Sequence, residues 1–179
     1  MAETVHASRF AHVGYFLFLA AVIAFVQLLP LPDSAGGVPG PDVLLLVACC
    51  WGLRRPDLLP TPIVAAVFLL ADVLFMRPLG LWAGLVVIAF EFLRSRSTAW
   101  RELNFLLEWA MVTGIIVSVS FANAAVLAIF VVDQPSLGMT LLRLIATIAF
   151  YPVVAFILMR TIGLYKLAPG AVDRLGHRQ

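Results

Sequence analysis

The sequence predicts an all-α membrane protein, a six-helix transmembrane bundle, and three observations predict it. Of the 179 residues, 63% are hydrophobic and only 12% are charged, with a mean hydropathy of +1.04. Apolar runs recur from Val13 to Met159, so the excess does not belong to one buried helix. The basic residues gather at the edges of those runs. A soluble domain of this length is mostly surface and needs polar groups to cover it, which this chain lacks; its apolar residues need lipid instead. The runs are continuous and rich in Leu and Ala, not the short alternating segments of a β-barrel.

The first span is expected over residues 11–31, ended by Pro30 and Pro32. His6 and Arg9 ahead of Ala11–Leu29 resemble a leader layout. The apolar run of about 19 residues is longer than a signal core, however, and no small-x-small site follows, so an uncleaved span is expected. Residues 33–41 form a loop rich in Gly and Pro. The second span, 41–53, opens at Pro41-Asp42, where proline needs no amide and aspartate faces free N–H groups. Its core of about 12 residues makes roughly 18 Å of helix, short for a hydrocarbon layer of about 30 Å. Surrounding helices, a thinned bilayer or an extension through Pro39 and Gly40 would each accommodate it. Arg54-Arg55-Pro56-Asp57 follows as a polar turn.

The third span covers 58–76, with Asp72 inside it and Arg77-Pro78 as a break; the fourth covers 79–93. Residues 94–102 are polar and basic, with Trp100 pointing to a segment at the membrane surface. The fifth, 103–132, is long enough to tilt, and Asp133-Gln134-Pro135-Ser136 makes the next turn. The sixth covers 141–159, with Pro152 a kink site, and a short tail follows. No internal repeat is visible, and the chain reads as a single domain. With both termini cytoplasmic, all of the 12 basic residues except Arg77 and Arg143 fall on the inner side. A five-span arrangement with 41–53 as a re-entrant hairpin would put Arg54 and Arg55 outside and break that alternation.

Composition and motifs exclude several functions. A net charge of +2 with dispersed Lys and Arg is no nucleic-acid footprint. Cys49 and Cys50 are adjacent in an apolar run, without partners for a metal site, and read as small hydrophobes. No H-E-x-x-H, G-x-S-x-G or Gly-rich Lys loop is present, and the three histidines sit at the termini, so neither catalysis nor a cofactor is expected. Asp72 is an ionisable group among apolar neighbours, about 21 Å along its helix from Leu58. It either binds an ion or solute, or it serves as a structural carboxylate that caps a neighbouring helix or pairs with Arg77 or Arg143. Glu91 reads as an interfacial partner of Arg94, and Glu108 as interfacial or bundle-facing. Gly114, Ser118 and Ala122 lie four apart, a spacing that allows close helix approach within the bundle or to a partner, and Asn123 is expected to bond a neighbouring helix.

From Pro41 to Glu91 the chain resembles the bacterial rod shape-determining MreD family. The resemblance rests on Pro41-Asp42 opening a Leu-rich helix, Trp51 followed by Arg54-Arg55-Pro56-Asp57, Asp72 in the next span, and Pro78-Leu79-Gly80 leading into the one after. It covers roughly a third of the chain at motif level. Ala65 and Ala66 stand where that family often has glycines. The resemblance implies a fold similar to the membrane-embedded substrate-binding subunits of energy-coupling factor transporters. It also implies a place in the bacterial inner membrane, in the peptidoglycan-synthesising elongation machinery. An MreC-like protein would be the direct partner, with a RodA-type polymerase, its transpeptidase and MreB filaments beyond it. Pro41, Asp42, Arg54, Arg55, Pro56, Asp72, Pro78 and Gly80 are the matching positions. Pro41 and Asp42 would set a helix start, Arg54 and Arg55 would anchor a cytoplasmic turn, and Pro78 and Gly80 would shape an outer reversal. The alternative is a solute-binding membrane subunit of a transporter, which predicts an outward-open polar pocket containing Asp72. A flippase for a lipid-linked precursor would want a large cationic cavity, and the outer half offers two arginines.

Overall fold

A computed structural model of the protein describes residues 2–29, 40–97, 104–132 and 136–162, with side chains described from residue 10 to 161 within those ranges. Regular structure among them is helical throughout: α1 (Ala2–Leu28), α2 (Val43–Arg54), a 3-10 turn (Pro56–Leu58), α3 (Thr61–Leu74), α4 (Leu81–Arg96), α5 (Phe105–Ile129) and α6 (Leu137–Ile162). The stretches Phe10–Leu28, Phe105–Ile129 and Leu137–Thr161 are each long and apolar enough to cross a membrane. The chain is an all-α protein whose long apolar helices are those of a multi-pass membrane bundle.

The short α2 sits at the centre, packed against α1, α4 and α6. Every residue from Leu44 to Arg54 is buried, so α2 has no lipid-facing side. Trp51 is enclosed between Phe16, edge-on at 5.5 Å, and Tyr15 at 6.4 Å. Gly52 is required by the close crossing of α2 and α4, because a Cβ there would lie 3.0 Å from the Phe90 ring. The outer helices reverse the pattern of a soluble protein. Only 11% of the apolar stretch of α1 and 17% of that of α5 is buried, and Phe18, Phe25, Phe121 and Phe156 point outward. Such surfaces are stable against hydrocarbon, not water.

Helix ends differ from hydropathy for local reasons. α1 begins at Ala2, not residue 11, because backbone hydrogen bonding continues into the polar N-terminal turns. α3 starts later than residue 58, since Pro56–Leu58 forms the 3-10 turn and Pro60 caps the helix in extended conformation. Left-handed backbone at Met76 and Val131 follows the ends of α3 and α5, which stop at Leu74 and Ile129. α4 runs on to Arg96, and α6 starts at Leu137 and continues through Pro152. Outside the described residues lie 30–31 of the expected first span with Pro32 after it, 33–39 of the expected loop, Trp100 and Arg101, Asp133 to Pro135, and the tail with Lys166, Arg174, His177 and Arg178.

Candidate functional site

Most of the buried polar groups, Asp42, Arg54, Glu108 and Thr147, collect at the two ends of α2. At its C-terminal end Arg54 turns into the bundle instead of toward the surface. Its Nη2 and Nε donate to Glu108 Oε1 at 2.7 and 3.0 Å, and the Tyr151 hydroxyl donates to the same oxygen at 2.7 Å. The side chains of Arg54 and Glu108 are 4% and 2% exposed, so this ion pair is fully enclosed. It joins α2 to the first turn of α5 and the middle of α6. Trp109 adds a bond from its indole N–H to the Ile148 carbonyl, 3.0 Å away. A closed charged cluster of this kind fixes helix register and leaves no room for a substrate.

The N-terminal end of α2 is built differently. Asp42 is its N-cap, with Oδ1 accepting from Leu45 N–H at 3.2 Å. Its own N–H donates to Thr147 Oγ1 at 3.0 Å, and that hydroxyl donates to the Arg143 carbonyl at 2.7 Å. Asp42 Oδ2 accepts from Arg143 Nη2 at 3.1 Å and lies 3.9 Å from Arg77 Nη1. Both arginines that the sequence leaves outside the inner loops therefore meet on one carboxylate. Arg77 is held between rings, 5.2 Å from the centroid of Phe75 and 5.5 Å from that of Trp82. Burial lowers its pKa and Arg143 adds to that, while Asp42 opposes it. These groups line a cavity of about 510 Å³ between α2, α4, α5, α6 and the α3–α4 turn. Ser120, Asn123 and Thr140 contribute polar atoms, and Leu45, Ile116 and Leu127 contribute an apolar wall.

Asp72 does not line this cavity. It is fully buried, and its Oδ2 accepts from the N–H groups of Gly80 and Ala83, each at 3.1 Å. It thus caps the start of α4 across the turn that follows its own helix, while Oδ1 has no hydrogen-bond partner. Gly80, at φ 82°, takes the left-handed conformation that a side chain resists, and the Leu81 N–H donates to the Pro78 carbonyl to close the turn.

The remaining candidates are dispersed. Pro41 immediately precedes the Asp42 cap, and its carbonyl accepts from Val43 N–H. Arg55 is the C-cap of α2, half-buried with Nε unpartnered, and Pro56 opens the 3-10 turn. Glu91 and Arg94 form an exposed pair that Thr61 joins, the Thr61 hydroxyl bonding Glu91. Gly114 and Ser118 face outward on α5, with open space where a Gly114 Cβ would stand, and the Ser118 hydroxyl bonds back to the Gly114 carbonyl. Ala122 is half-buried further along. Among the described residues, no three His, Cys, Asp or Glu side chains are grouped to hold a metal ion. Sequence reasoning missed the Arg54–Glu108–Tyr151 cluster and the meeting of Arg77 with Arg143. The only available signal was the isolation of each polar group among apolar neighbours. Comparison with protein-family models, with curated proteins and with solved structures finds no match for this chain.

Proposed function

We propose that this chain is a non-catalytic scaffold of the bacterial cell-elongation machinery, holding the transmembrane helix of an MreC-like protein in the inner membrane. In this reading all six helices cross the bilayer, both termini are cytoplasmic, and the fold is similar to that of the substrate-binding subunits of energy-coupling factor transporters. The resemblance between Pro41 and Glu91 supplies the partner's identity. The supporting structural observation is the outward face of α5. Gly114 and Ser118 present a shallow, small-residue surface that no helix of the bundle uses, suited to close approach by a single apolar helix. Asp72, the most conspicuous charge of the interior, is occupied as a helix cap.

Co-purification with an MreC homologue tests the reading. The expected result is a stable complex with the full-length chain, lost when Gly114→Leu and Ser118→Leu are combined. Both positions face outward, so the bundle itself should melt as before. A complex that survives both enlargements removes the α5 stripe, and no complex with wild type removes the partner. Orientation is tested separately with an impermeant thiol reagent on Asp57→Cys, which should react only from the cytoplasmic side. The cavity beside Asp42 favours the second reading, a solute-binding transporter subunit. In that case the ligand contacts would come from Arg77 and Arg143 and not from Asp72.

A further inference from the structure

We infer that the cavity at the N-terminal end of α2 is a binding site for an amphiphile bearing one phosphate group, held by Arg77 and Arg143. The first argument is charge. Two guanidinium groups converge on a single carboxylate, and among the described residues Asp42 is the only acid within 4 Å of either. Asp72 acts on Arg77 from farther off, so within contact distance two guanidinium groups share one carboxylate. The second is hydrogen-bonding capacity. A guanidinium carries five N–H donors. Arg143 gives one to Asp42, and Arg77 reaches it only at 3.9 Å, with its plane steadied by Phe75 and Trp82. Asp42 has little left to offer, since Oδ1 is committed to Leu45 N–H. Both side chains line the cavity, Arg77 25% and Arg143 41% exposed, and a guanidinium's forked donors suit phosphate oxygens.

The third argument is shape. A cavity of about 510 Å³ is within the range of small-molecule sites, roughly 300–1,000 Å³. Leu45, Ile116 and Leu127 also line it, so a head group at the arginines would have aliphatic side chains available to its hydrocarbon. The same chemistry is available from a membrane phospholipid or from a free phosphate ester, and the test separates them.

The full-length protein in neutral detergent is titrated with dioctanoyl phosphatidylglycerol, dioctanoyl phosphatidylcholine and glycerol phosphate, with binding read by native mass spectrometry. Phosphatidylglycerol should bind in preference to phosphatidylcholine. Arg143→Gln should weaken it about tenfold, the loss of one charge-assisted contact. Arg94→Gln, at the opposite end of α4, should not change it. Asp42→Asn should tighten it, because the competing carboxylate is gone; a purely structural ion cluster predicts no gain. Glycerol phosphate that competes assigns the site to a free ester, and failure to compete assigns it to a lipid. Binding of neither, or equal binding by wild type and Arg143→Gln, overturns the proposal. So does a finding that the arginines are answered by the chain's own Asp33 or Asp133, seen as destabilisation by Asp33→Asn or Asp133→Asn without any phosphatidylglycerol effect. Should the Asp42 and Arg143 variants fail to fold, wild type still decides. Phosphatidylglycerol brominated in its acyl chains should quench Trp82 beyond brominated phosphatidylcholine, the excess vanishing in Trp82→Phe, and equal quenching rejects the site.

Discussion

Glu108→Gln provides the sharpest test of how this bundle is held together. The substitution preserves the shape of the side chain but removes the charge that answers Arg54. Arg54 is 4% exposed and cannot reach water without moving α2. Removing the Glu108 charge takes away the closest compensation of a buried guanidinium, a loss of up to about 3–5 kcal/mol. Removing both charges is far milder, because the desolvation cost disappears with them. Arg54→Met combined with Glu108→Leu should therefore lie within about 2 kcal/mol of wild type, and the two changes should couple strongly in a double-mutant cycle. Tyr151→Phe deletes one bond to a charged acceptor and should cost about 1.5–3 kcal/mol. Glu91→Gln is the control. Its pair with Arg94 is 43% and 47% exposed, and its loss should stay within about 1 kcal/mol. Unfolding is followed by tryptophan fluorescence as dodecyl sulfate is titrated into neutral micelles. A Glu108→Gln protein as stable as wild type, or a double variant as unstable as the sum of the singles, would refute the reasoning.

Three further outcomes are expected. Gly52→Ala should destabilise by about 1–3 kcal/mol, since the new methyl meets the Phe90 ring at 3.0 Å and α2 and α4 must separate; Phe90→Leu in the same chain should recover part of the loss in the same titration. Asp72→Ala should cost about 1–2 kcal/mol by stripping the cap from α4, and amide exchange at Gly80 and Ala83 should rise selectively. Cys49 and Cys50 are buried, so a maleimide should leave them unmodified in native micelles and label both after denaturation; rapid native labelling would show that α2 is not enclosed.

How much of this was visible in the chain follows from the distance over which each interaction acts. The Asp42 cap is local: an acidic residue directly ahead of an apolar run, bonded three residues on, is written in the order Pro41-Asp42-Val43. The Asp72 cap spans eight and eleven residues and requires only that the chain reverse at Pro78-Leu79-Gly80, so capping could be foreseen as one of its roles. Arg54 is paired across 54 residues with Glu108, and Tyr151 across 43, and no local pattern encodes which helices meet at that depth. The sequence therefore allows Glu108 either an interfacial or an inward place and puts Arg54 at a surface turn. The contact between Gly52 and Phe90 is equally silent, because a glycine in a helix announces close packing without naming the neighbour.

The length of α2 connects these findings. Twelve residues make about 18 Å of helix against a hydrocarbon layer of about 30 Å, so under the six-span proposal its ends leave roughly 12 Å of the layer to be filled by something else. At the Arg54 end the chain itself fills the gap. Leu58, in the 3-10 turn, and Leu59 just after it are buried, while Asp57 of the same turn is exposed. At the Asp42 end, among the described residues, the α3–α4 turn and the facing walls of α5 and α6 enclose a cavity instead. A helix that stops inside the membrane leaves its terminal polar groups below the interface, where each needs a partner. In the six-span reading, that accounts for an ionic cluster at each end of the shortest core helix, the Arg54–Glu108 pair buried and the Asp42 group partly exposed. It is also why one end is closed by a satisfied ion pair, while the other keeps two arginines against a space of ligand size.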